Sequence, residues 1–131
     1  MPGHMLNDSF PVLFEGLHST GMLAPCVLAG KTTLVRAHNI EHRYYRGLAR
    51  RERNPWVKLF FRTEARRLKK YEAVLLQADY ILGIAKQETA YFDENYGNAL
   101  FVPPFHRYEE PCSREGCGQT ILFHGHLGIS D

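Results

Sequence analysis

The chain has 131 residues, 44% of them apolar and 23% charged, and a formal net charge of +2. That is the size and composition of one globular domain, or of a piece of a larger one. No apolar run reaches the roughly 18–20 residues of a membrane-spanning helix, and Met1-Pro2-Gly3-His4-Met5 lacks the basic start and apolar centre of a secretory signal.

Three cysteines, Cys26, Cys112 and Cys117, are too few and too unevenly numbered for a disulfide framework. A reducing cytoplasm is the expected setting. Residues 1–8 read as a leader or the remnant of a cloning site and are left out of the fold. Phe10-Pro11-Val12-Leu13-Phe14-Glu15-Gly16-Leu17 is an apolar run that reads as a buried strand, and His18-Ser19-Thr20 as the polar loop after it. Residues 32–37, rich in β-branched side chains, form a second expected strand.

A helix is expected from about residue 44 to 53. Asn54-Pro55 then signals a new helix, with Asn as N-cap and Pro in the first helical position. Apolar Val57, Phe60, Phe61, Leu68, Tyr71 and Leu75 keep a helical period for about six turns. Glu64 and Glu72 fall on or beside this stripe, where a buried carboxylate needs a partner, so they are expected to meet a basic or histidine side chain or to stay at the stripe's wet margin. Residues 79–85 give a third strand, residues 86–97 a helix closed by Gly97, and residues 99–102 a fourth strand stopped by Pro103-Pro104. Residues 108–118 read as a linker and residues 119–125 as a fifth strand.

Strands alternating with helices predict an α/β fold, a partial Rossmann-like, doubly wound parallel sheet. The first strand lacks the usual glycine-rich turn and the last has no covering helix, so the sheet is expected to be truncated at both ends.

The charge is unevenly spread. Residues 43–70 hold eleven Lys/Arg against Glu52 and Glu64, a balance of 11 − 2 = +9, while the remainder sums to 5 − 12 = −7. Such a block is either a solvated helix face or a footprint for phosphates, on an anionic membrane or a nucleic acid.

The densest chemistry is Arg36-Ala37-His38-Asn39-Ile40-Glu41-His42, where the second strand gives way to helix. Ligands of open α/β sheets sit at the carboxyl ends of strands. His38-Asn39-Ile40-Glu41-His42 spells the H-x-x-E-H zinc motif, an alternative reading as a zinc hydrolase. The motif follows a strand directly, however, which puts His38 in the loop or at the helix start, and no third ligand is clearly placed.

His106, Cys112, Cys117 and His124 are too loosely spaced for a zinc site. Ala29-Gly30-Lys31-Thr32 ends like a phosphate loop, but Pro25 stands where its first glycine belongs and a strand follows. Lys31 is therefore expected in an exposed turn. A basic nucleic-acid-binding module using Tyr44, Tyr45 and Trp56 is the non-enzymatic alternative, against which the buried-looking spacing of these aromatics counts.

Five segments together resemble the two-domain glycosyltransferases of the B fold, family 4 in particular. They are Glu15-Gly16-Leu17-His18-Ser19-Thr20, Thr33-Leu34-Val35-Arg36-Ala37-His38-Asn39, Ala78-Asp79-Tyr80-Ile81-Leu82-Gly83-Ile84-Ala85, Leu100-Phe101-Val102-Pro103-Pro104-Phe105-His106 and Ile121-Leu122-Phe123-His124-Gly125-His126-Leu127. Ala85 stands where the family usually has serine, Pro104 where it often has asparagine, and His126 where a basic residue is common.

The resemblance covers residues 9–131. It implies a partial N-terminal, acceptor-side Rossmann-like domain over 9–107, a linker over 108–118, and the first strand of the donor-side domain over 119–131. A glycosyltransferase moving a sugar from a nucleotide-sugar to a glycan or lipid-linked acceptor is then expected, with the donor belonging to the longer parent and no cofactor or metal in this part.

By the same resemblance His38 would contact the transferred sugar or the acceptor hydroxyl, a role its imidazole suits. Capping of the following helix is the alternative. Glu15, His18, Arg36, Asn39, Glu41 and His42 are expected around the acceptor, although alternation along the strand could instead aim Arg36 at Glu64 or Glu72. Expected partners are the acceptor and an anionic membrane at its cytoplasmic face, not nucleic acid. The unpaired edges of a truncated sheet invite homodimerisation.

Overall fold

The computed structural model describes residues 8–105, so the expected linker, the fifth strand and the candidate ligands His106, Cys112, Cys117 and His124 lie outside the described residues. Four strands form one sheet in the order β1 (Val12–Glu15), β2 (Thr33–Ala37), β3 (Tyr80–Gly83) and β4 (Ala99–Phe101), every neighbouring pair parallel. Parallel strands need helical crossovers. These are α1 (Leu23–Leu28), the pair α2 (Glu41–Arg51) and α3 (Pro55–Tyr71), and α4 (Lys86–Tyr96). The expected α/β class with a partial Rossmann-like parallel sheet is what forms.

Strands added in one direction by right-handed crossovers bring their helices to one face of the sheet. The burial pattern agrees. Val12, Phe14, Thr33, Val35, Ala37, Ile81 and Gly83 alternate along the strands and are buried against the helices. With Leu23, Cys26, Leu68, Leu75 and Phe92 they make the core. The opposite face carries Leu13, Tyr80 and Leu100 exposed, with Leu34 and Leu82 half-buried. Among the described residues nothing packs over it.

Several local expectations change. The stretch after β1 is a 3-10 turn, Leu17–Met22, running into α1 rather than a polar loop. Lys31 is not an exposed turn residue: it is buried, with its ammonium on the Asp8 carboxylate and 3.2 Å from the Phe10 carbonyl. Desolvation of the long side chain is offset by those two oxygens. α2 begins at Glu41, three residues before its expected start.

α3 starts where Asn54-Pro55 placed it, the Asn54 side chain accepting from the Trp56 amide at 3.0 Å. It ends at Tyr71, and the remainder of the expected six turns continues as the 3-10 segment Glu72–Gln77. Gly97, at φ 73, closes α4 in the left-handed conformation that glycine adopts without cost.

Asp79 joins β2 to β3. One of its carboxylate oxygens accepts from the Thr33 amide at 2.7 Å and the Thr33 hydroxyl at 3.0 Å. The Asp79 amide in turn donates to that hydroxyl at 3.2 Å.

Candidate functional site at the carboxyl ends of β1 and β2

β1 and β2 pair with Glu15 beside Arg36, so the residues that follow both strands emerge together at one end of the sheet. Gly16, at φ 81, turns the chain out of β1 at once, and a Cβ there would sit 3.7 Å from the His38 ring. That turn brings Glu15 and His38 together. Their side chains meet at 2.9 Å, Glu15 Oε2 to His38 Nε2, and Arg36 donates to the other carboxylate oxygen at 3.3 Å. Arg36 thus faces Glu15, not Glu64 or Glu72. A strand side chain on the open sheet face cannot reach residues packed behind the other.

Desolvation pushes the Glu15 carboxyl up, but the hydrogen bonds from His38 and Arg36 outweigh it and hold it below its ordinary value. Glu15 is therefore ionised at neutral pH and can only accept, so His38 Nε2 carries the proton. In a neutral imidazole this leaves Nδ1 as an acceptor. The arrangement is a carboxylate-oriented histidine, exposed at a strand end. Arg36 spends one of its five donors on Glu15, and its Nε has no partner among the described residues.

His18 and Glu41 flank this pair, His18 Nε2 lying 3.8 Å from Glu41 Oε2. Asn39 is exposed beside His38. Neither His38 nor Asn39 caps α2, whose N-cap is Ile40 with no side-chain cap bond.

His42 is the correction. It is buried, its Nδ1 2.6 Å from Glu72 Oε2, and so it is turned inward, away from the strand-end residues Glu15, Arg36 and His38. It is four positions from His38 in sequence, but α2 begins only at Glu41 and His38 lies in the loop after β2, so the shared helix face that H-x-x-E-H requires does not form. Among the described residues no group of three or more His, Cys, Asp or Glu is placed to hold a metal ion.

A groove of about 310 Å³ opens past Asn39, the residue after His38, and is lined by Asn39, Ile40, Arg43, Tyr44, Gln87 and Glu88; Glu15 and His38 do not line it. Burial lifts the Glu88 carboxyl above its ordinary value; the Ile40 amide opposes this and the charge of Glu41 adds to it. Glu88, Gln87 and Arg43 were not singled out in the sequence. The strand-end rule that found His38 would have found Gln87 and Glu88 after β3, had it been applied to each strand.

Beneath His38 and Glu41 a cavity of about 10 Å³, room for about one water molecule, reaches Glu72. That carboxylate is the centre of a buried cluster. It accepts from Tyr91 and Tyr96 at 2.5 Å each, from His42, and from Lys69 at 3.3 Å. Glu64 is paired with Arg67 at 2.9 Å.

No family model, curated protein or solved structure matches the chain. Its functional reading rests on the geometry of this site and on the resemblance carried by its own motifs.

Proposed function

We propose that the chain forms the acceptor-binding side of a glycosyltransferase that moves a sugar from a nucleotide-sugar to a glycan or lipid-linked acceptor. The observation that carries this reading is the Glu15–His38 pair at the adjoining ends of β1 and β2, next in sequence to Asn39, which lines an open groove. A sugar hydroxyl that reaches the strand ends meets an imidazole already fixed in orientation by Glu15, so little ordering remains to be done on binding. His38 holds or accepts the hydroxyl proton, and Arg36 offers its free donors to a phosphate or carboxylate on the acceptor. Asn39, Gln87 and Glu88 supply further hydrogen bonds along the groove.

The resemblance assigns the donor-binding carboxylates to a second half that the described residues do not include. The chain alone is expected to release no nucleoside diphosphate from nucleotide-sugars, and turnover by it would overturn this division of labour.

Acceptor binding is tested by titrating ¹⁵N-labelled chain with simple sugars, sugar phosphates and a short polyprenyl phosphate. Amides of residues 15–18, 38–41 and 87–88 are expected to shift. His38→Ala is expected to weaken binding about tenfold to a hundredfold, the worth of one charge-assisted hydrogen bond, with Tm unchanged because the side chain is exposed. Shifts confined to other faces of the domain would sink the reading. So would stoichiometric zinc that is lost with His38→Ala.

Glu15→Gln tests the orienting role separately. The glutamine keeps an acceptor near Nε2 but loses the charge, so acceptor binding is expected to weaken less than in His38→Ala. Because the carboxyl of Glu15 lies below its ordinary value of 4.5, the pair persists above that pH and comes apart as pH falls through the lowered value. An acid loss of acceptor binding in the native chain, absent in Glu15→Gln, is the expected signature.

A further inference from the structure

The helical hairpin α2–α3 carries a surface that the site at the strand ends does not use. Eleven Lys/Arg and two Glu lie between residues 43 and 70, and α3 buries only Ala65 and Leu68. Two aromatics of α3 whose spacing suggested burial, Trp56 and Phe60, are exposed in the structure. Trp56 is 79% exposed, Phe60 56% and Leu59 55%.

Residues 56, 59 and 60 share one helix face, and residues 63, 67 and 70 continue it. That face is therefore apolar at the hairpin tip and basic farther along, where Arg67 and Lys70 are exposed. Arg50, Arg51 and Arg53 stand exposed around the turn that joins the two helices. Three contiguous apolar side chains collared by like charges cost free energy in water and repel one another's collars, so a second copy is a poor occupant.

An anionic bilayer satisfies both parts at once. Its acyl boundary takes up Trp56, Leu59 and Phe60, while its phosphates neutralise the collar. Tryptophan at such a tip also has the amphipathic ring that settles at headgroup depth. Single-stranded nucleic acid would use the aromatic rings as stacking platforms but gains nothing from aliphatic Leu59 at the centre of the patch.

We propose that the tip of the α2–α3 hairpin docks this protein on an anionic phospholipid surface, with Trp56, Leu59 and Phe60 inserted and Arg50, Arg51 and Arg53 on the headgroup phosphates. α2 runs from Glu41 to Arg51, so the docked tip lies about 15 Å along the helix axis from the strand-end site. Docking is independent of what that site binds.

The chain reports on itself, because Trp56 is its only tryptophan. The full chain is mixed with vesicles of phosphatidylcholine alone or of phosphatidylcholine with phosphatidylglycerol, and followed by co-sedimentation and tryptophan emission. Binding is expected on the anionic vesicles, with blue-shifted emission that brominated acyl chains quench, and not on phosphatidylcholine.

Neutralising Arg50, Arg51 and Arg53 to Gln is expected to weaken binding on the order of a hundredfold, each surface charge counting for several-fold. Phe60→Glu is expected to abolish the blue shift. Both variants change exposed side chains, and an unchanged circular dichroism spectrum confirms the fold. Vesicle binding with unshifted Trp56 emission overturns the proposal, as does binding to RNA or DNA without binding to vesicles. A blue shift that grows with protein concentration in the absence of lipid would assign the patch to self-association and overturn it equally.

Discussion

Glu72→Ala is expected to lower stability by about 3–5 kcal/mol, the cost of removing one partner from a buried ionic cluster. Glu72 is 1% exposed and sits where α3 ends. Its two oxygens accept from His42 of α2 and from Tyr91 and Tyr96 of α4, and Lys69 of α3 reaches both the carboxylate and the Tyr91 hydroxyl. One carboxylate thus ties three helices together. Arg43 of α2 adds a cation over the Tyr91 ring at 4.3 Å.

Without Glu72 several buried donors lose their acceptor, and each unmet donor costs about 1–3 kcal/mol. Against a typical total of about 5–15 kcal/mol, the variant should melt on the order of 10 °C or more below the native chain. Thermal circular dichroism reads this directly. A loss below about 1 kcal/mol would mean that the cluster relaxes around the gap and does not hold the helices.

The same cluster sets an acid limit. Desolvation pushes the Glu72 carboxyl up, but the bonds from Tyr91, Tyr96 and His42 outweigh it and the group lies below its ordinary value of 4.5. A lowered carboxyl stabilises the fold fully above the unfolded value, and that stability is lost as pH falls through the folded value. Tyr96 behaves in the opposite sense. Burial, then the bond to Glu72, raises its hydroxyl above the ordinary value of 10.0, so its contribution is present below that pH and lost on further alkalinisation. In Glu72→Gln both dependences should flatten, which guanidinium unfolding across pH would show.

Gly83→Ala is the second large effect, expected to cost about 1–3 kcal/mol by overpacking. Gly83 ends β3 beneath the first turn of α4. A Cβ there would lie 2.2 Å from Thr89 Oγ1 and 3.0 Å from both the Cα and Cβ of Thr89. The Thr89 hydroxyl cannot simply swing aside, since it is buried and donates to the Ala85 carbonyl at 2.8 Å. Nor can rotation move its Cα.

The N-terminus of α4 must therefore shift, and Gln87 and Glu88 move with it. Gly83→Ala is accordingly expected to lower Tm and to weaken the acceptor binding proposed for the groove. Adding Thr89→Ala removes the shortest contact but not the backbone one, so it should restore part of the loss. Full additivity of the two changes would show that the close approach is not the cause.

Much of the fold was legible because its signals are local. Asn54 and Pro55 start α3 through bonds and angles set within three residues, and Gly97 ends α4 the same way. The β-branched run 32–37 needed only a sheet to join. α1 was missed because six residues with Pro25 among them carry too little periodicity to see, and its helix exists because Leu23 and Cys26 fill the space behind β1 and β2.

The site divides along the same line. The sequence identified Glu15, Arg36 and His38 because strand ends concentrate polar residues, and the parallel register of β1 and β2 then sets them side by side. It did not separate His38 from His42. Spacing in the chain says only that they are four residues apart; whether they share a face depends on where α2 begins, and burial of Glu72 draws His42 inward.

The basic block between residues 43 and 70 was plain from composition. Which side of α3 carries Trp56, Leu59 and Phe60 was not, because an amphipathic period with apolar residues on both sides leaves the choice of buried face to packing. Sequence alone determined the order of the four strands and of the longer helices α2, α3 and α4, whose causes lie within a turn or a strand. Tertiary structure decided which polar groups meet and which apolar ones stay wet, because those outcomes depend on residues dozens of positions apart competing for the same buried space.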